Sequence, residues 1–114
     1  MIRRTLTVVS SSLFCATLVL GANANQTKAG SGDPAKGKEV FEQCSVCHDV
    51  ETGEKKMGPS LKGLFKRQKL QSGQPVNDEN VLKQINNGGG GMPAYADMLS
   101  AEDKANVLAY LKTL

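Results

Sequence analysis

The 114 residues predict an all-α fold in one small domain. Three observations point there. Apolar residues recur at helical spacing in separate segments, each opened by a residue suited to a helix cap. No segment shows the alternation of a strand. The cluster "CSVCH", Cys44 to His48, sets its reactive side chains three and four residues apart, which a single helical turn brings to one side.

The N-terminus is set apart from that domain. Residues 1–24 carry Arg3 and Arg4, then an apolar stretch from Leu6 to Ala22, then Ala22-Asn23-Ala24, an A-x-A cleavage pattern. This is the grammar of a secretory signal peptide cut near Ala24. The apolar stretch is short and interrupted by Ser10, Ser11 and Ser12, which disfavours a permanent anchor, so no stable membrane insertion is expected after cleavage. Cys15 is discarded with it. Residues 25–32 are polar and small, a flexible lead-in, and residues 33–114 form the domain. Loss of Arg3 and Arg4 leaves 12 basic residues against 11 acidic ones. The mature chain is nearly neutral and has no basic stripe interleaved with aromatics, so nucleic acid is not a partner.

The first helix opens at Asp33-Pro34, with Asp33 as cap and Pro34 at the first helical position. Gly37, Val40 and Phe41 are its inner residues, and it is expected to run into the Cys44 cluster. The second spans Asp78 to Asn86, capped by Asn77 or Asp78, with Val81, Leu82 and Ile85 inward and Asn87-Gly88 as its stop. The third follows Ser100. Ser100 with Asp103 makes a capping-box variant, and Val107, Leu108, Leu111 and Leu114 recur at helical spacing.

The pair Cys44 and Cys47 could be a disulfide, a redox pair or part of a zinc site. A structural zinc site needs four Cys or His ligands, and the mature chain holds only Cys44, Cys47 and His48. A thioredoxin-like site needs a preceding strand and a βαβ pattern, and neither is present. C-x-x-C-H instead reads as attachment of a c-type haem, with a bare thiol pair as the remaining alternative. On a helical turn both sulfurs face one haem edge, and the imidazole four residues after Cys44 reaches the iron. His48 is the only histidine, so a second histidine ligand from this chain is excluded. Met57, Met92 and Met98 remain for the other face. Met57 follows the attachment turn too closely to reach round a ring, and Met98 beside Leu99 suits packing. Met92 sits in a glycine-rich stretch between two helices, where the backbone can pass close to a ring.

Four pieces in this order, "GKEVFEQCSVCH", "GPSLKGLFKR", "GGGGMPAY" and "LAYLKTL", resemble the class I monohaem c-type cytochromes over nearly the whole mature chain. The resemblance implies three main helices, with short helical turns and loops, wrapped around one covalent haem c. It implies thioethers to Cys44 and Cys47 and iron ligation by His48 and Met92, since the "MP" loop is similar to the family's sixth-ligand loop. Pro59 matches the proline whose carbonyl accepts a hydrogen bond from the ligating histidine. The first and last helices are implied to cross near Gly37, Phe41 and Tyr110. Arg67 matches an arginine that contacts a haem propionate in mitochondrial-type members. The short stretch from Gln68 to Asn80 lacks the tryptophan and tyrosine of those members, so the nearer resemblance is to small bacterial and photosynthetic forms. Leu61, Leu64 and Phe65 are expected to pack the core or the ring.

Lys55, Lys56, Lys62, Lys66, Arg67 and Lys69 fall in one segment, and no acidic residue occurs from Lys55 to Val76. This is either a solvated mixed surface or a basic rim that steers an acidic redox partner. The expected function is one-electron transfer by a soluble periplasmic monomer, a carrier and not an enzyme, because both axial positions are taken by side chains. A haem subunit of a larger dehydrogenase or oxidase, and a haem enzyme or gas sensor with a labile sixth ligand, are the alternatives.

Overall fold

The computed structural model describes residues 31–114. The expected signal peptide lies outside them, as does most of the lead-in. Helix α1 is Pro34–Phe41, a 3-10 turn spans Leu64–Lys66, α2 is Asp78–Asn87 and α3 is Ala101–Leu111. Among the described residues there is no strand, only isolated bridges pairing Lys69 with Pro75 and Gly89 with Met92. No helix there is long and apolar enough to cross a membrane.

Caps determine where each helix begins. The Asp33 carboxylate accepts from the amides of Ala35 and Lys36, and Asn77 accepts from Asn80. At α3 the capping box is complete: Ser100 accepts from the Asp103 amide, and Asp103 accepts from the Ser100 amide. Each cap is worth about 1 kcal/mol against alanine. Helix α1 is shorter than expected. It ends at Phe41, and successive turns carry the chain through residues 42–47. Those turns keep helical contacts: the Ser45 amide donates to Phe41 and the His48 amide to Cys44, at 3.0 and 2.9 Å. The Cys44–His48 spacing therefore still describes one turn of helix.

The core forms where α1 crosses α3. Phe41, Val107, Leu108 and Leu111 are buried, joined by Leu64 from the 3-10 turn and Val81 from α2. Each such side chain contributes about 1.5–3 kcal/mol on burial. The Phe41 and Tyr110 rings lie 5.3 Å apart, tilted by 53°. Gly37 is the contact point: a Cβ there would sit 1.9 Å from the Asn106 carbonyl oxygen and 2.8 Å from the Tyr110 Cβ. Asn106 is only 5% exposed, and its Oδ1 accepts from the Asp33 amide at 2.7 Å, fastening the start of α1 to the middle of α3. Leu82 and Ile85 of α2 are half-buried, and Ile85 borders a cleft.

Candidate haem-binding site

The cleft opens between the attachment turn and the three helices, with about 370 Å³ of empty space partly open to solvent. Its walls are apolar side chains of each helix, Phe41, Ile85 and Val107 among them. Cys44 and His48 enter from the attachment turn, and Met92 and Tyr95 from the loop between α2 and α3. Of the three methionines expected in the mature chain, Met92 alone lines this cleft. Met57 and Met98 are 76% and 64% exposed.

His48 is held tightly. Its Nδ1 lies 2.7 Å from the carbonyl oxygen of Pro59. A carbonyl only accepts, so Nδ1 carries the proton and Nε2 keeps its lone pair. The Pro59 segment is stitched to the turn that bears the histidine. The Gly58 amide donates to the Cys47 carbonyl and the Leu61 amide to that of Asp49, each at 2.8 Å. A Cβ on Gly58 would lie 2.5 Å from the imidazole Cε1, so only glycine lets the chain pass this close to the ring. The Asp49 carboxylate folds the next loop by accepting from the Thr52 and Gly53 amides and the Thr52 hydroxyl. Desolvation works the other way, but these bonds hold its carboxyl below the usual range.

Cys44 and Cys47 are both half-buried free thiols. Burial, followed by the neighbouring Cys47, pushes the Cys44 thiol up. Burial also raises the Tyr95 phenol, with smaller contributions from Cys44 and Cys47. Tyr95 lines the same cleft as Cys44, a placement that sequence reasoning did not assign.

Met92 is held differently. The Gln84 amide nitrogen donates to the Gly88 carbonyl at 2.9 Å and approaches the Met92 sulfur at 3.9 Å. Gln84 was also missed. Its one sequence signal is a position one helical turn before Gly88 on α2. Gly88 to Gly91 all have positive φ, and Gly89 and Met92 exchange backbone bonds of 2.9 and 3.1 Å.

Arg67 does not reach the cleft. It is exposed, and its Nη2 donates to the Lys62 carbonyl at 2.6 Å. The six basic residues from Lys55 to Lys69 are all exposed, and none forms an ion pair among the described residues. Lys56 spans back to the Ser45 carbonyl at 3.1 Å, which puts its ammonium beside the attachment turn.

The donor set suits a flat, largely apolar iron macrocycle. It offers an oriented imidazole nitrogen, a thioether from a separate segment and two thiols, around apolar walls. Among the described residues no group of three or more His, Cys, Asp or Glu side chains could hold a bare metal ion.

Comparison with known proteins agrees. A family model described as cytochrome C oxidase, cbb3-type, subunit III matches residues 32–111. Cytochrome c-554 of Methylosinus trichosporium is 32% identical, covering 90% of each chain. Cytochrome c2 of Rhodoplanes tepidamans is also 32% identical, covering 67% of this chain and 95% of its own. The solved structure of cytochrome c6 from the diatom Phaeodactylum tricornutum superposes with a TM-score of 0.56 at 30% identity, covering 72% of this chain and 93% of that one. With its cleft, attachment turn and three-helix frame, the chain belongs to the class I monohaem c-type cytochromes, whose cofactor is a covalently bound haem c.

Proposed function

We propose that this protein is a soluble one-electron carrier and not an enzyme. The observation that carries the reading is the meeting of Cys44, His48 and Met92 on the walls of one apolar cleft. When bound, the haem supplies an iron that alternates between ferrous and ferric forms. The chain's residues do the rest. Cys44 and Cys47 would hold the cofactor edge through their sulfurs. His48 would offer Nε2 to the iron, with the Pro59 carbonyl fixing its tautomer and raising its basicity. Met92 would offer its sulfur, a pairing that favours the reduced form. With both side chains engaged, no place would be left for a substrate. The apolar walls exclude water and keep reorganisation small.

The exposed basic segment supports a partner with an acidic docking face, met by electrostatic steering. The N-terminal pattern supports export to the periplasm with cleavage near Ala24, leaving residues 25–32 as a lead-in and 33–114 as a monomeric domain. A propionate contact by Arg67 would require it to leave the Lys62 carbonyl. A second reading, a haem subunit held in a larger oxidase, is favoured by the description of the matching family model. Size-exclusion of a native extract separates the two: a carrier elutes near its own mass.

The experiment that tests the main reading is a spectrum of the purified holoprotein. The ferric form should show the weak far-red sulfur-to-iron band, and haem should stay with the chain through acid–acetone extraction. Haem released from denatured protein, or a ferric spectrum without that band, would sink the assignment.

A further inference from the structure

A second groove runs between α2 and α3, and we propose that residues 25–30 of this chain lie in it as a strap across the two helices.

The groove holds about 1140 Å³ of space open to solvent and shares no lining residue with the haem cleft. Leu82 and Asn86 line it from α2, and Ala101, Ala105, Leu108 and Ala109 from α3. The three alanines stand four residues apart on one helix face, so a backbone passing over them meets no long side chain.

Two observations choose the occupant. The first is where the described chain begins. Ser31 and Gly32 themselves line the groove. Gly32 is pressed onto α3, because a Cβ there would lie 2.0 Å from the Ala105 carbonyl oxygen. The next amide, that of Asp33, is fastened to Asn106 at 2.7 Å. Gly30 is thus joined directly to a residue of the groove wall. A second copy of the protein, or a separate partner, would have to share the groove with the chain that leaves through it. The second observation is Asn86. Its Oδ1 is buried and has no hydrogen-bond partner among the described residues. A bare buried acceptor is costly. A backbone amide from the residues before Ser31 supplies the missing donor.

Length and charge agree with this. From Ser31 back to Lys28, three extended residues cover about 10 Å. The rise of α3 from Ala105 to Lys112 is also about 10 Å. Lys28 is the only charged residue of the segment. Asp78 and Lys112 line the groove, and the Asp78 Oδ2 accepts from the Lys112 ammonium at 2.6 Å. The other carboxylate oxygen of Asp78 has no hydrogen bond among the described residues, so the strap brings its one cation toward an acidic group with an oxygen to spare.

The test uses the purified native protein, reduced, with its first residue fixed by its mass. Nuclear Overhauser contacts should join the Ala29 methyl to side chains of Leu82, Leu108 or Ala109. At least one amide of residues 28–30 should exchange about tenfold or more slowly than in a free peptide of the same sequence. Deleting residues 25–30 should lower the melting temperature by about 4–8 °C and leave the visible spectrum unchanged. Asn86→Leu should lower the melting temperature of the full chain but not of the shortened one, since only the full chain has a strap bond to lose. Absent contacts with free-peptide exchange overturn the strap, as does a deletion without effect on melting. With such a deletion, a full chain that sediments as a dimer would make the groove a contact between copies, and a monomer would leave it to a separate partner. An equal fall on Asn86→Leu in both chains, or a native protein that begins after Gly30, also overturns it.

Discussion

The two faces of the cleft are built on opposite plans. On the His48 side, a carbonyl at 2.7 Å, a glycine pressed against the ring and two backbone bonds of 2.8 Å from the segment around Pro59 leave the imidazole one position. On the Met92 side, the donor sits in a turn that bonds mainly to itself and meets one amide at 3.9 Å. Both proposed donors come from loops. What differs is how many independent contacts hold each loop to the rest of the fold. In the proposed role the attachment turn keeps its shape while two sulfurs and a nitrogen engage one cofactor. A sulfur supplied by a flexible, unbranched side chain can tolerate a looser frame.

The comparison can be broken most completely at the covalent edge. The double variant Cys44→Ala, Cys47→Ala should retain no haem on a denaturing gel, whatever happens to His48. Retention would mean that the attachment turn is not the anchor. Next in size is Met92→Ala. It should abolish the far-red band, lower the potential and let carbon monoxide bind the reduced form. Met57→Ala and Met98→Ala should leave all three unchanged, since both side chains lie in solvent.

Smaller effects sharpen the contrast between the faces. Gly58→Ala places a methyl 2.5 Å from the His48 ring and should lower stability by about 1–3 kcal/mol. Thermal unfolding of the holoprotein measures it, and a variant as stable as wild type would show that the tight face has slack. Gln84→Leu removes the Met92 sulfur contact and a bond to Gly88, and should cost about 0.5–1.5 kcal/mol. It should also weaken the far-red band without removing it. If Gln84→Leu costs more than Gly58→Ala, the proposed order of the two faces is reversed.

Sequence reasoning reached furthest where chemistry is local. The Asp33, Asn77 and Ser100 caps and the Cys44–His48 turn depend on neighbours within four residues, and they lie where expected. The end of α1 was misjudged because continued turns preserve helical spacing after the regular helix stops. Arg67 was placed by resemblance alone. Its side chain instead follows the 3-10 turn back to Lys62, a direction that residue type does not encode.

By itself the sequence determined the class of cofactor and the helices that frame it, because two cysteines and a histidine at i, i+3 and i+4 share one side of any helical turn. It also left three methionines of the expected mature chain, Met57, Met92 and Met98, as candidates for the proposed second donor. Only the tertiary structure decided which methionine meets the cleft, why Gly37 and Gly58 must lack a side chain, and that Asn106 and Gln84 have work inside the fold. A polar residue within a helix looks solvated in sequence. It becomes a fastening only when a second segment, 73 residues away for Asn106 and 8 for Gln84, brings it a partner.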